Sequence, residues 1–111
     1  YCIANREKIS LLAGTHNELS TKLLTQLLQE NQIEKSNKNI YFAQLFGMSD
    51  HISFNLAKEN YNVAKYVPYG PIKSVIPYLI RRAEENTSVA GQMGRELKLI
   101  KLELQRRKNS I

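Results

Sequence analysis

The sequence lacks most of the features that define a function on sight. Its one cysteine, Cys2, excludes an intrachain disulfide and fits a reducing compartment, or a chain that needs no covalent staple. Taken alone, Cys2 reads as a packing residue. No stretch approaches the roughly 18 consecutive apolar residues of a membrane-crossing helix. The opening Tyr1-Cys2-Ile3-Ala4-Asn5-Arg6-Glu7-Lys8 has no apolar signal-peptide core and no initiating Met, so the chain is expected to begin inside a longer protein or at a processed end. Neither G-x-G-x-x-G nor a P-loop occurs, which leaves no glycine-rich phosphate cradle. No cysteine or carboxylate stands at metal-ligand spacing from His16, so no metal site is expected. No Ser/His/Asp triad is legible, because the acidic residues fall on apparent helix faces or in links.

What is present is ordinary in bulk and uneven in detail. The chain has 111 residues, 42% hydrophobic and 23% charged, the size and balance of one small globular domain or a piece of a larger one. Net charge is +6, and part of the excess is local. Arg95, Lys98, Lys101, Arg106, Arg107 and Lys108 stand near Glu96 and Glu103. A basic end can serve as a binding module for nucleic acid or for an anionic membrane surface. A solvated helix face is the plainer account, and no interleaving of aromatic and basic residues supports nucleic acid.

Hydrophobic patterning divides the chain into alternating elements. Ile9-Ser10-Leu11-Leu12-Ala13 is a short apolar run closed by Gly14, the pattern of a buried strand. A helix follows from about Glu18 to Gln29, with Leu19, Leu23, Leu24, Leu27 and Leu28 at helical spacing and Asn17 placed to cap it. A polar link over 31–39 leads to a second strand, Ile40 to Phe46, stopped by Gly47. Ser49 or Asp50 is placed to cap a short helix to about Glu59. Val63 to Val67 is a third strand, broken by Pro68 and Gly70-Pro71. A helix from about Ile72 to Glu85 contains Pro77, where a kink or a fresh start is expected. A last amphipathic helix spans about Val89 to Arg107, with Leu97, Ile100 and Leu104 on its apolar side. The order β-α-β-α-β-α-α predicts parallel β/α units. The strands are apolar without clean alternation, as in a sheet covered on both faces. Three strands suggest part of a doubly wound sheet or part of a barrel.

In such folds chemistry collects at the C-terminal ends of the strands. Those ends offer Thr15, His16 and Asn17, then Gln44, Leu45, Gly47 and Met48, then Tyr66, Pro68, Tyr69 and Gly70. His16 has the chemistry of a general base, a metal ligand or a cofactor contact, and His51 reads as a structural hydrogen-bonding residue. The segment from Pro77 to Asn86 is the most pointed. On a helix, Tyr78, Arg81, Arg82 and Glu85 share one side. Adjacent arginines splay by about a third of a turn, so that two guanidinium forks can meet one carboxylate. An exposed helix with Arg–Glu pairs worth a few tenths of a kcal/mol has the same spacing.

Four ordered strings go further than spacing. They are Thr15-His16-Asn17-Glu18, Tyr41 through His51, Lys65 through Pro71, and Pro77 through Asn86. Together they resemble the C-terminal part of the proline dehydrogenase family, closest to the single-function branch that includes the mitochondrial enzymes. The resemblance implies an α/β fold: residues 1–111 would be the incomplete C-terminal portion of one (β/α)8 TIM-type barrel, its last three β/α units plus a C-terminal helix. It implies FAD as cofactor, L-proline as substrate, 1-pyrroline-5-carboxylate as product and a quinone as electron acceptor. By the match, Arg81 and Arg82 would clamp the proline carboxylate, Tyr78 and Tyr66 would pack around the ring, and Leu45 would form an apolar wall. Thr15, His16 and Asn17 would contact FAD near its adenosine half, and Glu85 would support the flavin side.

Hydroxyproline-oxidising relatives carry a smaller residue in the place of Tyr66, so Tyr66 favours proline over 4-hydroxyproline. Bifunctional bacterial relatives carry a flavin-touching Gln in the place of Ala43, and Gln44 is one residue away from it. The family's early strands hold a lysine and an aspartate near the substrate, and nothing here corresponds to them. No catalytic residue is therefore assigned, and the isolated chain is expected to be inactive, to bind no FAD tightly and to self-associate through an open sheet edge. The resemblance implies no nucleic-acid partner. It implies a mitochondrial protein if eukaryotic, and a cytoplasmic or peripheral inner-membrane protein if bacterial.

Overall fold

The computed structural model describes residues 1–88 and 92–110, in two units, Tyr1–Val67 and Pro68–Ile111. The first contains β1 (Leu11–Gly14), α1 (Glu18–Glu30), β2 (Ile40–Leu45), α2 (Asp50–Lys58) and β3 (Val63–Tyr66). The second contains α3 (Ile72–Ser88) and α4 (Gln92–Asn109). The predicted order of elements is the observed one, and their ends move by a few residues. Val89 lies outside the described residues.

The three strands form one parallel sheet in the order β1-β2-β3. Register sorts its side chains. Leu11 and Ala13 of β1 stand beside Ile40 and Phe42 of β2, and Phe42 and Gln44 stand beside Val63 and Lys65 of β3. Residues level with one another in a parallel pair point the same way, so these share a face. Leu24 and Leu28 from α1 and Ile52 and Leu56 from α2 meet Ile40 and Phe42 on it, forming the buried core. Ile3, Ile33 and Tyr61 pack at its rim, and the Tyr61 ring meets Phe42 edge-on at 5.5 Å.

The other face differs from the expectation of a sheet covered on both sides. It carries Leu12, Tyr41, Ala43, Leu45, Ala64 and Tyr66. Leu12 is 63% exposed, Tyr41 40% and Tyr66 53%. Both helices of the first unit lie on one side of the sheet, which leaves Leu12, Tyr41 and Tyr66 of the other face exposed, while Ala43 and Ala64 are half-buried and Leu45 is buried.

Local chemistry sets the ends of the elements. Asn17 caps α1 as expected, its Oδ1 accepting the Ser20 N–H at 2.9 Å. β1 starts at Leu11, whose N–H reaches Asn39 O at 2.7 Å. Gly14 is its last paired residue. Gly47, at φ 80°, turns the chain out of β2. Ser49 takes the cap position of α2 but makes no capping bond, because its hydroxyl is turned to His16 and its backbone is left-handed at φ 53°. In the second unit, α3 is one helix through Pro77, with no second start there. Its first turn is fixed by Ser74 and Val75, whose N–H groups both donate to Pro71 O. Leu97, Ile100 and Leu104 of α4 are all exposed.

Candidate functional site

A parallel sheet brings the C-terminal ends of its strands to one edge. In the first unit that edge is cross-tied by side chains. Leu45 N–H points to His16 Nε2 at 3.4 Å. With Nε2 accepting, the imidazole proton sits on Nδ1 and donates to Ser49 Oγ at 2.7 Å. Gln44, almost fully buried, donates from Nε2 to Thr15 O at 3.3 Å and accepts the Ser53 hydroxyl on Oε1 at 2.9 Å. His51 Nε2 lies 2.9 Å from Glu18 Oε1. These contacts tie the segment after β1 to the segment after β2.

A third tie comes from β3. Lys65 Nζ meets Met48 O at 2.6 Å, Asp50 Oδ1 at 2.9 Å and Leu45 O at 3.4 Å. An ammonium has three donors, and three acceptors face this one.

The residues expected to hold a ligand divide between the two units. Thr15, His16, Asn17, Leu45 and Tyr66 lie at or just beyond the strand ends of the first. Leu45 and Tyr66 are level in the β2–β3 register and share the uncovered face. Thr15 Oγ1 accepts the Asn17 N–H at 3.0 Å. Among the described residues, no bond uses the Thr15 hydroxyl proton or the Asn17 Nδ2 donors. Both are the kind of donor that suits phosphate and ribose oxygens, so these residues fit a nucleotide-bearing cofactor.

Tyr78, Arg81, Arg82 and Glu85 lie on α3 in the second unit. The Arg82 guanidinium carbon stands 5.0 Å from the Tyr78 ring centroid, and Nη2 reaches Glu85 Oε1 at 3.0 Å. Arg82 is thus gripped from both sides along the helix, as the spacing predicts. Its Nε is buried and has no partner among the described residues. Arg81 is exposed and stands outside this ladder. Elsewhere in the same unit, Glu103 receives Arg106 at 2.7 Å and Arg107 at 2.9 Å. Hydrogen bonds from Arg106 first and Arg107 second bring its carboxyl down to about 2, and the Glu103 carboxylate in turn raises Arg106. Part of the basic end is therefore engaged by its own carboxylate.

Lys65, Ser49 and the Gln44–Ser53 pair were not singled out by sequence as tying the site. A signal existed for Lys65: it alternates with Val63 onto the helix-covered face, where an ammonium needs acceptors. Nothing in the sequence marked Ser49 as other than a helix cap. No group of three or more His, Cys, Asp or Glu side chains suited to a metal ion occurs among the described residues.

The fold and its tied strand ends define a parallel β/α protein with its polar groups gathered on one edge. Comparison with known proteins gives this class a family. The profile described as "Proline dehydrogenase" matches residues 1–95. Proline dehydrogenase 1, mitochondrial, of Dictyostelium discoideum is 46% identical over 89% of this chain and 18% of its own length. Proline dehydrogenase 2, mitochondrial, of Arabidopsis thaliana is 45% identical over 94% of this chain and 22% of its own. Hydroxyproline dehydrogenase of Xenopus laevis is 42% identical over 93% of this chain and 22% of its own. The chain belongs to the proline dehydrogenase family. It spans about a fifth of the length of the curated relatives it matches. No solved structure gives a significant match.

Proposed function

We propose that this chain serves an FAD-dependent L-proline dehydrogenase as the C-terminal portion of its catalytic (β/α)8 barrel. Residues 1–111 would supply the last three β/α units and a C-terminal helix. The observation that carries this reading is the family match over residues 1–95, which includes every residue named above for substrate or cofactor. The consecutive parallel order β1-β2-β3, with both helices on one side and an apolar face on the other, supports a segment of barrel wall.

In this reading Arg81 and Arg82 bind the proline carboxylate. A guanidinium fork fixes a small amino acid in orientation as well as in place, which an ammonium does not. Tyr78 and Glu85 hold the Arg82 side chain before substrate arrives, so less side-chain freedom is lost on binding. Leu45 and Tyr66 bound the pyrrolidine ring and keep water from the reacting carbon. Tyr78 also packs against the ring, and Tyr66 leaves no room for a 4-hydroxyl. Thr15, His16 and Asn17 meet the adenosine half of FAD, the hydroxyl of Thr15 and the Nδ2 amide of Asn17 acting as donors. Glu85 supports the flavin side. When bound, the cofactor supplies hydride acceptance from the ring carbon beside the proline nitrogen, and the protein supplies position. The product is 1-pyrroline-5-carboxylate, with a quinone as electron acceptor.

The mitochondrial names of the relatives favour a mitochondrial location if the source is eukaryotic. A bacterial source would place the protein in the cytoplasm or at the inner-membrane surface. No described helix is long and apolar enough to cross a membrane.

The test is proline-dependent reduction of a dye by the full-length protein, with its flavin absorbance recorded. Bound flavin and a proline-driven rate are expected. A flavin-replete protein that does not respond to proline would overturn the reading. The chain alone is expected to take up no stoichiometric flavin.

A further inference from the structure

We propose that Lys65 is a positioning residue for the substrate site, acting through the turn Leu45–Asp50; the part that concerns proline rests on the functional reading above. The turn is unusual in its backbone. Gly47 has φ 80° and Ser49 has φ 53°, two left-handed residues either side of Met48. A left-handed serine costs free energy unless its surroundings hold it. Here it is held from both neighbouring strands. From the β1 side, His16 takes the Ser49 hydroxyl at 2.7 Å. From β3, Lys65 takes the Met48 carbonyl at 2.6 Å and the Asp50 carboxylate at 2.9 Å.

Leu45 is bracketed by the same two residues. Its N–H points to His16 Nε2, and its carbonyl faces Lys65 Nζ, each at 3.4 Å. The shorter contacts to Met48 and Asp50 carry the grip, and the longer pair aligns the strand end. Phe46 N–H then donates to Tyr66 O at 2.8 Å, which couples the turn to the end of β3. Loss of the Lys65 ammonium would leave the Met48 carbonyl without its short bond and the Asp50 carboxylate without its cation. Leu45 and Tyr66 would shift together, because the turn and the β3 end are joined through Phe46. Lys65 itself points to the helix-covered face, opposite Leu45 and Tyr66, so it positions and does not touch substrate.

The experiment compares Lys65→Met, Lys65→Arg and Asp50→Asn in the full-length protein by two readouts. The first is hydrogen–deuterium exchange over residues 45–50. Faster exchange is expected in Lys65→Met, with Asp50→Asn intermediate and Lys65→Arg close to the parent. Unchanged exchange in Lys65→Met would overturn the proposal whatever the activity. The second readout is proline kinetics at equal flavin content. Lys65→Met should raise KM about tenfold or more, as a misplaced binding group does, with Lys65→Arg restoring most of the loss. A fall in kcat alone, with KM unchanged, would mean a merely structural lysine and would overturn positioning. If the parent protein itself ignores proline, the functional reading fails, and the exchange arm alone decides whether Lys65 holds the turn.

Discussion

His51 and Glu18 face each other at the starts of two different helices, Nε2 to Oε1 at 2.9 Å. Glu18 is the first residue of α1 and His51 the second of α2. Both side chains are mostly shielded from water, so the bond matters more than an exposed pair would. Changing His51 to Leu removes one hydrogen bond from the shielded carboxylate. The expected loss is about 1 kcal/mol, read as a lower unfolding midpoint of the full-length protein. A midpoint unchanged within error would mean that water replaces the imidazole without cost.

Changing Arg82 to Met should raise the proline KM of the full-length enzyme sharply, by about a hundredfold for the roughly 3 kcal/mol that a charge-assisted bond can supply. Lysine should recover only part of it, because the fork is lost while the charge remains. Arg81→Met should act in the same direction. Steady-state kinetics with proline at fixed dye concentration checks all three, and an unchanged KM in both Met variants would remove the clamp.

Much of this was legible in the sequence, and the reasons are local. The β/α order is written in runs such as Ile40 to Leu45 and in the leucine spacing of α1. Asn17 announces its cap, and Tyr78, Arg82 and Glu85 lie one helical turn apart, so their meeting needs no tertiary information. The strand-end ties were not legible. His16 to Ser49, Gln44 to Thr15 and Lys65 to Met48 each join residues that are distant in sequence, and the register that brings them together is a property of the folded sheet. Ser49 shows the difficulty: a serine before a short helix signals a cap, yet its hydroxyl serves the neighbouring strand end. The uncovered face escapes the sequence for a related reason. An apolar run says that a strand wants cover on both sides but does not say which segments supply it.

Tyr66 gives a prediction about specificity. Replacing it with Ser should move the ratio of kcat/KM toward 4-hydroxy-L-proline by about tenfold or more, the scale on which pocket volume discriminates. Parallel assays with proline and hydroxyproline test it. Overall similarity does not separate the two substrates by name, since a hydroxyproline dehydrogenase is 42% identical over 93% of this chain.

Glu103 gives a prediction about pH. Its carboxyl is lowered from 4.5 to about 2 by hydrogen bonds from Arg106 first and then Arg107. A lowered carboxyl stabilises the folded form above its ordinary value, and that contribution is lost as pH falls through about 2. The carboxyl is exposed, so the effect on stability should be slight. The titration itself is the better measurement. The Glu103 carboxyl carbon, followed by NMR, should show a midpoint near 2. Changing both Arg106 and Arg107 to Gln should return it toward 4.5.

The consecutive strand order has a consequence for how the chain is made. Each strand lies beside the strand translated just before it, so a β/α unit leaving the ribosome finds its partner already in place. Among β1, β2 and β3 no strand must wait for a distant part of the polypeptide before it can pair, and only modest loops need to close. Growth of this kind has a direction, with the newest strand always at its margin. A pause in translation once Tyr66 has cleared the ribosome would present that margin, together with Leu12 and Tyr41 on the uncovered face, to whatever chaperone is nearby.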